Sequence, residues 1–541
     1  SPLMDVLIVG AGPVGLTLAC ELKRHGVDFR IVDRNESRTD KSKALVVWPR
    51  TLELLNKLGL AESFVESGIK IHGASVFSES SEQKHHRLLH VSFDELRSPY
   101  PFGLGIPQSE TERLLEEALG DKVERNVELT ALEQNDERVR VTLNGHEQLD
   151  VPWVVACDGA RSTCRHALGV KLEGETVAEE FAMIDGDVSG YGGVDEVQAH
   201  FHAEGVVAIF PIKPPRYRVI AFRQECTSNE EPTPPTLEEM QRTLDQRNLG
   251  DLRLSDPRWL AAFRINERRA TQYTHGRVFL AGDAAHVHSP IGGQGMNTGM
   301  QDVINLAWKL SLIVKDRASR EPLLGSYSSE RTSVGAAVIG ATGWARRAIT
   351  LRNPVAQAVR NRIVGFVANF DVFQQRFRDQ ASELAVHYPN SSLNQDVHDA
   401  HAAWILNGGV RPGERMPDSL LSSASGADTS LFEILKGTRF HLLLISGHAR
   451  EDQVKLSEIS GWTRAHAADL IECHWIDLRP PLDLPEESVW IDEDKSFHRT
   501  LGTSEASLYL VRPDGYVAFR CQPASLTAFQ DYLNSIGLAL Q

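Results

Sequence analysis

The segment Gly10-Ala-Gly-Pro-Val-Gly15, directly behind the apolar run Val6 to Val9, constrains the fold of this chain more than any other stretch. The apolar run reads as a short buried strand, the glycines as a tight turn, and residues 16–25 resume with helical apolar spacing. Strand, turn and helix in that order open a doubly wound α/β unit. Gly10 permits the turn, Gly12 lets a pyrophosphate approach the backbone, and Gly15 lets helix and strand pack closely. The unpaired N–H groups at the helix start then face the anion. A second strand over residues 29–32 ends at Asp33-Arg34, and a carboxylate at Asp33 can accept hydrogen bonds from both hydroxyls of an adenosine ribose. One such fingerprint is visible, which predicts a single resident adenine dinucleotide. A nicotinamide nucleotide, if one takes part, visits without a Rossmann domain of its own.

Later segments bear on which dinucleotide it is. Residues 277–281 form an apolar strand closed by Gly282-Asp283. The glycine-rich Pro290-Ile-Gly-Gly-Gln-Gly-Met-Asn297 follows, and helical spacing resumes through Val303, Leu306, Ala307 and Leu310. Between the two signatures lies Cys157-Asp-Gly-Ala-Arg-Ser162, behind a strand over residues 153–156. Together these motifs resemble the FAD-dependent aromatic hydroxylases of the para-hydroxybenzoate hydroxylase type, in the phenol and polyketide hydroxylase branch.

The resemblance implies FAD as cofactor, with Asp283, after Gly282, on the ribityl chain and Pro290, Gly292, Gly293, Gly295, Met296 and Asn297 around the flavin ring. It implies that Asp158 touches both FAD and the passing NAD(P)H, that Gln108 contacts the ribityl chain, and that Arg34, Lys43 and Arg50 lie on the cofactor side. Lys43 stands where the family usually has arginine; it supplies charge to the pyrophosphate but no planar, bidentate guanidinium. Ser289 stands where many relatives have a first proline. Physical chemistry agrees with the loop's role, because an isoalloxazine that gathers electron density at N1 and C2=O is stabilised by N–H groups at a helix start.

At 541 residues the chain has room for about three to four domains and a large core. Its 57 basic and 73 acidic side chains give a net charge of −16, which disfavours nucleic acid and anionic membranes as partners. No apolar run reaches the roughly 18 residues that span a membrane. The first apolar stretch lacks a basic lead and reads as a strand rather than a signal peptide, so a cytoplasmic protein is expected. Six cysteines, none in a Cys-x-x-Cys pair or a metal-ligand cluster, read as reduced thiols without a metal site.

The expected fold class is α/β, with a discontinuous Rossmann-like FAD-binding domain over residues 1–72, 99–177 and 268–345. A β-sheet substrate domain is inserted over 73–98 and 178–267. Helical spacing interrupted by Pro354 predicts connecting helices over 346–390, and Pro-Asn, Gly-Gly and Pro-Gly pairs predict a linker over 391–417. Residues 418–541 form a last domain, whose Leu-Val-Arg-Pro-Asp-Gly-Tyr-Val-Ala resembles the thioredoxin-like domain of the phenol hydroxylase branch. Without paired cysteines it is expected to serve structure or oligomerisation, which leaves a homo-oligomer open.

The implied activity is NAD(P)H-consuming monooxygenation: NADPH or NADH reduces FAD, O2 forms a C4a-hydroperoxyflavin, and a phenolic or polycyclic aromatic held nearby, away from water, is hydroxylated. This chemistry needs no covalent catalysis, and beyond the flavin-loop candidates Pro290, Gly295 and Asn297 no catalytic residue is assigned. His85, His86, His90, His200 and His202 lie in or near the substrate segments; His286 and His288 lie near the flavin loop, His286 as a brace. Phe201 and Phe210 either line an aromatic pocket or pack the core. Arg223 either binds a carboxylate or phenolate or forms an ordinary ion pair. Two other readings stay open: Baeyer–Villiger oxygenation or epoxidation on the same scaffold, and a non-catalytic flavoprotein that sequesters an aromatic intermediate.

Overall fold

Strand β1 (Val6–Val9) is buried along its whole length and turns at the glycines into helix α1 (Pro13–Arg24), which has Pro13 in its first turn and Lys23 and Arg24 in its last. Glycine is obligatory at two points of this turn. Gly10 sits at φ +104°, where a Cβ would lie 2.1 Å from the Cys157 carbonyl oxygen, and a Cβ on Gly15 would lie 1.8 Å from that of Gly10. Strands β2 (Phe29–Val32) and β3 (Trp153–Ala156) flank β1 in parallel. The sheet continues through Val278–Leu280 and Thr274–His275 on one side and Val123–Glu124 on the other. Gly10, Asp33, Cys157 and Ala281 therefore follow parallel strand ends along one carboxyl edge, the edge where open α/β sheets bind ligands.

The computed structural model describes residues 4–79, 85–290, 293–349, 351, 353–367, 371–449, 451–481 and 489–541. Gly292 of the flavin loop lies outside them.

A second sheet contains β4 (Glu173–Ser189), β5 (Glu196–Phe201), β6 (Val207–Lys213), β7 (Arg216–Glu225) and β8 (Arg253–Arg269). Its spatial order is His286–Val287, β8, β4, β7, β6, β5, Gly73–Ser78, His86–Ser92. The two long strands β4 and β8 pair antiparallel over most of their length. Strand alternation gives the sheet two apolar faces. Phe181, Met183, Phe210, Ile220 and Phe222 belong to one cluster; Ile184, Ile209 and Val219 belong to another, packed with Met240 and Leu244 of the helix Leu237–Gln246.

Helices α2 (Gly295–Val314) and α3 (Arg320–Ile349) follow. Apolar residues bury most of α2, and Met300, Val303, Leu306 and Leu310 join the core of the first sheet. Among the described residues no helix is long and apolar enough to cross a membrane.

The C-terminal domain is a thioredoxin-like mixed sheet. Strands β9 (Phe440–Ile445) and β10 (Ile471–Asp477) run parallel around the helix Glu451–His466, and β11 (Ser507–Val511) and β12 (Val517–Gln522) add antiparallel beside β9. Burial pushes the Cys473 and Cys521 thiols up to about 11, the opposite of a reactive thiolate. The expected linker over 391–417 is corrected here. Gln395–His398 pairs in parallel with β12, and the Gly413 N–H donates to the Val517 carbonyl at 2.7 Å. Its Pro and Gly pairs mark turns between segments bonded into the domain, not free chain.

Candidate active site

Between the carboxyl edge of the first sheet and the β4, β6, β7 and β8 face of the second lies a cleft of about 700 Å³. Gly10, Gly12, Asp33 and Arg34 line it after β1 and β2; Lys43 and Gln108 line it from the loops beside them. Asp158 follows β3 into it, and Asp283, Pro290, Gly293, Gly295 and Met296 reach it ahead of α2.

Two helices open on this space without a side-chain cap. Neither Gly12, the N-cap of α1, nor Gln294, the N-cap of α2, makes a capping bond, so the first-turn N–H groups are available to an anion. A Cβ on Gly12 would meet no atom within 4 Å, which leaves room for a ligand directly against the backbone. Asp33 clasps the glycine turn by accepting the Ala11 N–H at 2.7 Å, and it accepts the Asn35 N–H at 2.8 Å. Asp158 accepts the Ser162 hydroxyl at 2.5 Å and the Cys164 N–H at 3.2 Å, fixing the start of the helix Thr163–Ala167. The Asp283 carboxylate faces the cleft, yet protein crowds it on every other side. The resulting loss of solvation pushes its pKa up, against the pull of His286 and Lys43.

The opposite wall is aromatic and apolar: Met183, Phe210, Ile220, Trp259, Ala261 and Phe263, with the Arg218 guanidinium 5.2 Å from the Trp259 ring. Arg218 is held by Asp185 in a bidentate pair of 2.7 and 2.9 Å. It also donates to the Lys43 carbonyl, and the Ser42 hydroxyl donates to Asp185. Gln108 holds the same loop from the other side, accepting the Ala44 N–H at 3.3 Å and donating to Glu112 at 3.2 Å. The second sheet thus grips the loop that presents Lys43, whose φ is +31°.

Comparison with known proteins matches this layout. A family model for the FAD binding domain matches residues 3–342, and one for the C-terminal domain of aromatic-ring hydroxylases matches 410–536. The chain belongs to the FAD-dependent aromatic hydroxylases. It is 33% identical to a 6-methylpretetramide 4-monooxygenase of Streptomyces rimosus, over 99% of this chain and 94% of the relative. It is 30% identical to pentachlorophenol 4-monooxygenase of Sphingobium chlorophenolicum, over 95% and 93%. Among solved structures it is similar to an anhydrotetracycline hydroxylase from Streptomyces rimosus, at a TM-score of 0.75 and 28% identity over 98% and 99% of the two chains. The enzyme is an FAD-dependent aromatic monooxygenase.

Several expected site residues of the hydroxylase lie elsewhere. Arg50 does not line the cleft: it is buried against the C-terminal domain, donating to Glu53 at 3.0 Å and to the Asp514 carbonyl at 2.9 Å, 4.7 Å from the Tyr516 ring. The Asn297 side chain is spent on backbone, accepting the Trp48 N–H at 2.9 Å and donating to the carbonyls of Val46 and Gly293 at 2.8 and 2.9 Å. It braces the loop from behind. Gly15 and Gly282 serve packing, the latter at φ +59°, where a Cβ would press on Val14 at 3.0 Å. Phe210 lines the cleft, but Phe201 sits on β5, outside the strands that face it, under the Arg360 guanidinium at 4.2 Å. Arg223 forms ion pairs with Glu180 and Glu239 at 3.0 and 2.9 Å.

Of the candidate histidines only His288 lines the cleft; burial holds it neutral, with its pKa lowered to about 3. His286 lies behind the loop, bonded to Asp302 at 2.5 Å. His200, stacked 4.9 Å from Phe77 and lowered to about 4 by burial, lies outside the cleft, as do His85, His86, His90 and His202. Sequence reasoning missed Arg218, Trp259 and Phe263. The alternation of Trp259, Ala261 and Phe263 is the signal that could have found the last two.

Among the described residues one grouping has metal-ligating spacing: His441, Glu472 and His474 in the C-terminal sheet. There the imidazoles bond each other at 3.0 Å and Arg439 holds Glu472 at 3.2 Å.

Proposed function

We propose that the enzyme hydroxylates a phenolic or polycyclic aromatic substrate, with FAD resident in the cleft and NADPH or NADH visiting as reductant. One observation carries this reading: two uncapped helix starts and the carboxylates of Asp33 and Asp283 converge on a cleft whose other wall is aromatic. These residues fit FAD. The α1 start at Gly12, with Lys43, suits the pyrophosphate; Asp33, beside Arg34, suits the ribose; Gln108, Asp158 and Asp283 suit the ribityl chain and its surroundings. Pro290, Gly293, Gly295 and Met296 would border the ring, with the α2 N–H groups toward its electron-rich end.

FAD held by these residues would supply the redox chemistry between NAD(P)H and O2 by which one oxygen atom would enter the substrate ring and the other would leave as water. The chain's own contribution is placement and exclusion. Phe210, Trp259 and Phe263 would hold an aromatic ring flat against the cofactor side, and the apolar wall would keep water from competing for the activated oxygen. The relatives named for a pretetramide and a chlorophenol support an aromatic substrate.

The test follows NAD(P)H consumption by the flavin-loaded protein with phenols, naphthols and hydroxyquinones, while hydroxylated product and peroxide are assayed. Stimulation with stoichiometric hydroxylated product is expected. Silence toward every phenol would sink the proposal, and a lactone product from a ketone would replace it with Baeyer–Villiger oxygenation.

A further inference from the structure

We infer that the C-terminal domain is a working support of the FAD cleft, and that Arg512 is the positioning residue through which it acts. Arg512 follows β11 and is wholly buried. Its guanidinium bridges two carboxylates, Glu330 of α3 at 2.8 and 3.0 Å and Asp514 at 3.0 and 2.6 Å. Glu330 also accepts Lys309 of α2 at 2.8 Å. The next residue along α3, Arg331, turns to the cleft side: it donates to Asp302 at 2.6 Å and to the Thr298 carbonyl, in the first turns of α2, at 3.0 Å. Asp302 in turn accepts the Gly282 N–H at 3.1 Å and bonds His286 at 2.5 Å. It therefore grips both ends of the short segment that presents Asp283 to the cleft.

A second route reaches the same arginine. Arg331 donates to the Tyr388 hydroxyl at 3.0 Å, and the Tyr388 ring lies 5.3 Å from the Arg512 guanidinium and 4.6 Å from the Tyr516 ring. Lys309, Arg331 and Arg512 oppose Asp302, Glu330 and Asp514, each at most 2% exposed. Three buried cations against three buried anions cannot shift singly without stranding a charge. A displacement of the β11–β12 turn must then be met by α3, and by Arg331 with it.

The inference rests on FAD occupying this cleft, so the test reads FAD itself. Full-length protein is stripped and reloaded, and FAD affinity and substrate-free NADPH oxidation are measured for Arg512→Lys and Tyr388→Phe. Arg520→Lys serves as control, because that buried arginine bonds Asp396 and the Val410 carbonyl on the far side of the domain. Arg512→Lys and Tyr388→Phe should each weaken FAD at least fivefold, and the double variant should fall short of the product, since both act on Arg331. Arg520→Lys should lower the melting temperature with FAD affinity unchanged. Wild-type FAD affinity in Tyr388→Phe, or equal losses in all three variants, would overturn the inference. Asp283→Ala run alongside reports on the cleft: if it loses FAD while Arg512→Lys and Tyr388→Phe do not, the support role fails and the cleft assignment stands. If Asp283→Ala keeps FAD as well, the cleft assignment is the one that fails.

Discussion

Glu383 shows how far burial bends a single residue here. It accepts the Gln301 amide at 2.7 Å and the Thr298 hydroxyl at 3.3 Å, and desolvation, only partly opposed by Arg331, pushes its pKa up to about 8 from 4.5. The folded state then holds a proton that the unfolded chain releases. Its stabilising share is complete below pH 4.5 and is lost as pH rises toward 8, by at most about 1.4 kcal/mol per pH unit. Glu383→Gln should remove that slope: between pH 6 and 8 the wild type should lose on the order of 2 kcal/mol relative to the variant in paired denaturant melts. Parallel curves would show that Glu383 ionises normally. Nothing in the sequence around Glu383 announces this, because its environment is assembled from α2 and α3, far away in the chain.

At the scale of elements, the turn between β1 and α1 separates two kinds of glycine. Gly15→Ala drives a methyl into the Gly10 carbonyl at 1.8 Å and should destabilise the whole unit, with flavin lost as a consequence. Gly12→Ala meets no protein atom, so the apoprotein should melt as the wild type does while FAD binding weakens at least tenfold. A Gly12→Ala protein that binds FAD normally would place the pyrophosphate elsewhere. This turn was legible in the sequence because its determinants are local: an apolar run, three glycines and a carboxylate at the end of the next strand. The opposite wall was not. Arg218 matters through Asp185 and the Lys43 loop, partners that only sheet pairing brings together, and one strand's displacement in the sheet decides between the two roles left open for Phe201 and Phe210, with Phe210 on the cleft and Phe201 outside it. Asn297 sits within a recognisable motif, yet its bonds to Trp48 and Val46 reassign it from contact to brace.

At the scale of the whole molecule, buried charges join the last domain to the FAD-binding part alongside an apolar core that runs from the first sheet through Trp308 to Phe440 and Phe519. Glu53, 3% exposed, accepts Arg50 at 3.0 Å and Arg415 at 2.7 and 2.5 Å, joining the FAD-binding part to the last domain. Glu53→Gln leaves two buried guanidinium groups undercompensated and should cost about 3 kcal/mol or more, seen as an earlier first transition in a urea melt. An unchanged first transition would mean that the interface does not depend on this cluster. Residues 391–417 show the same integration, and turn-forming pairs alone cannot distinguish a free tether from a chain stitched to a sheet edge.

The second sheet adds a different freedom. Trp259, Ala261 and Phe263 of β8 pack on its cleft-side cluster, while Leu260 between them packs with the opposite one under the helix Leu237–Gln246. On the proposed reading of the cleft, substitutions at those alternate positions would reshape what the enzyme accepts while the strand's register and the far cluster stay as they are. A wall of that kind would let a lineage try new ring systems one residue at a time, with the cofactor-side half of the protein inherited unchanged.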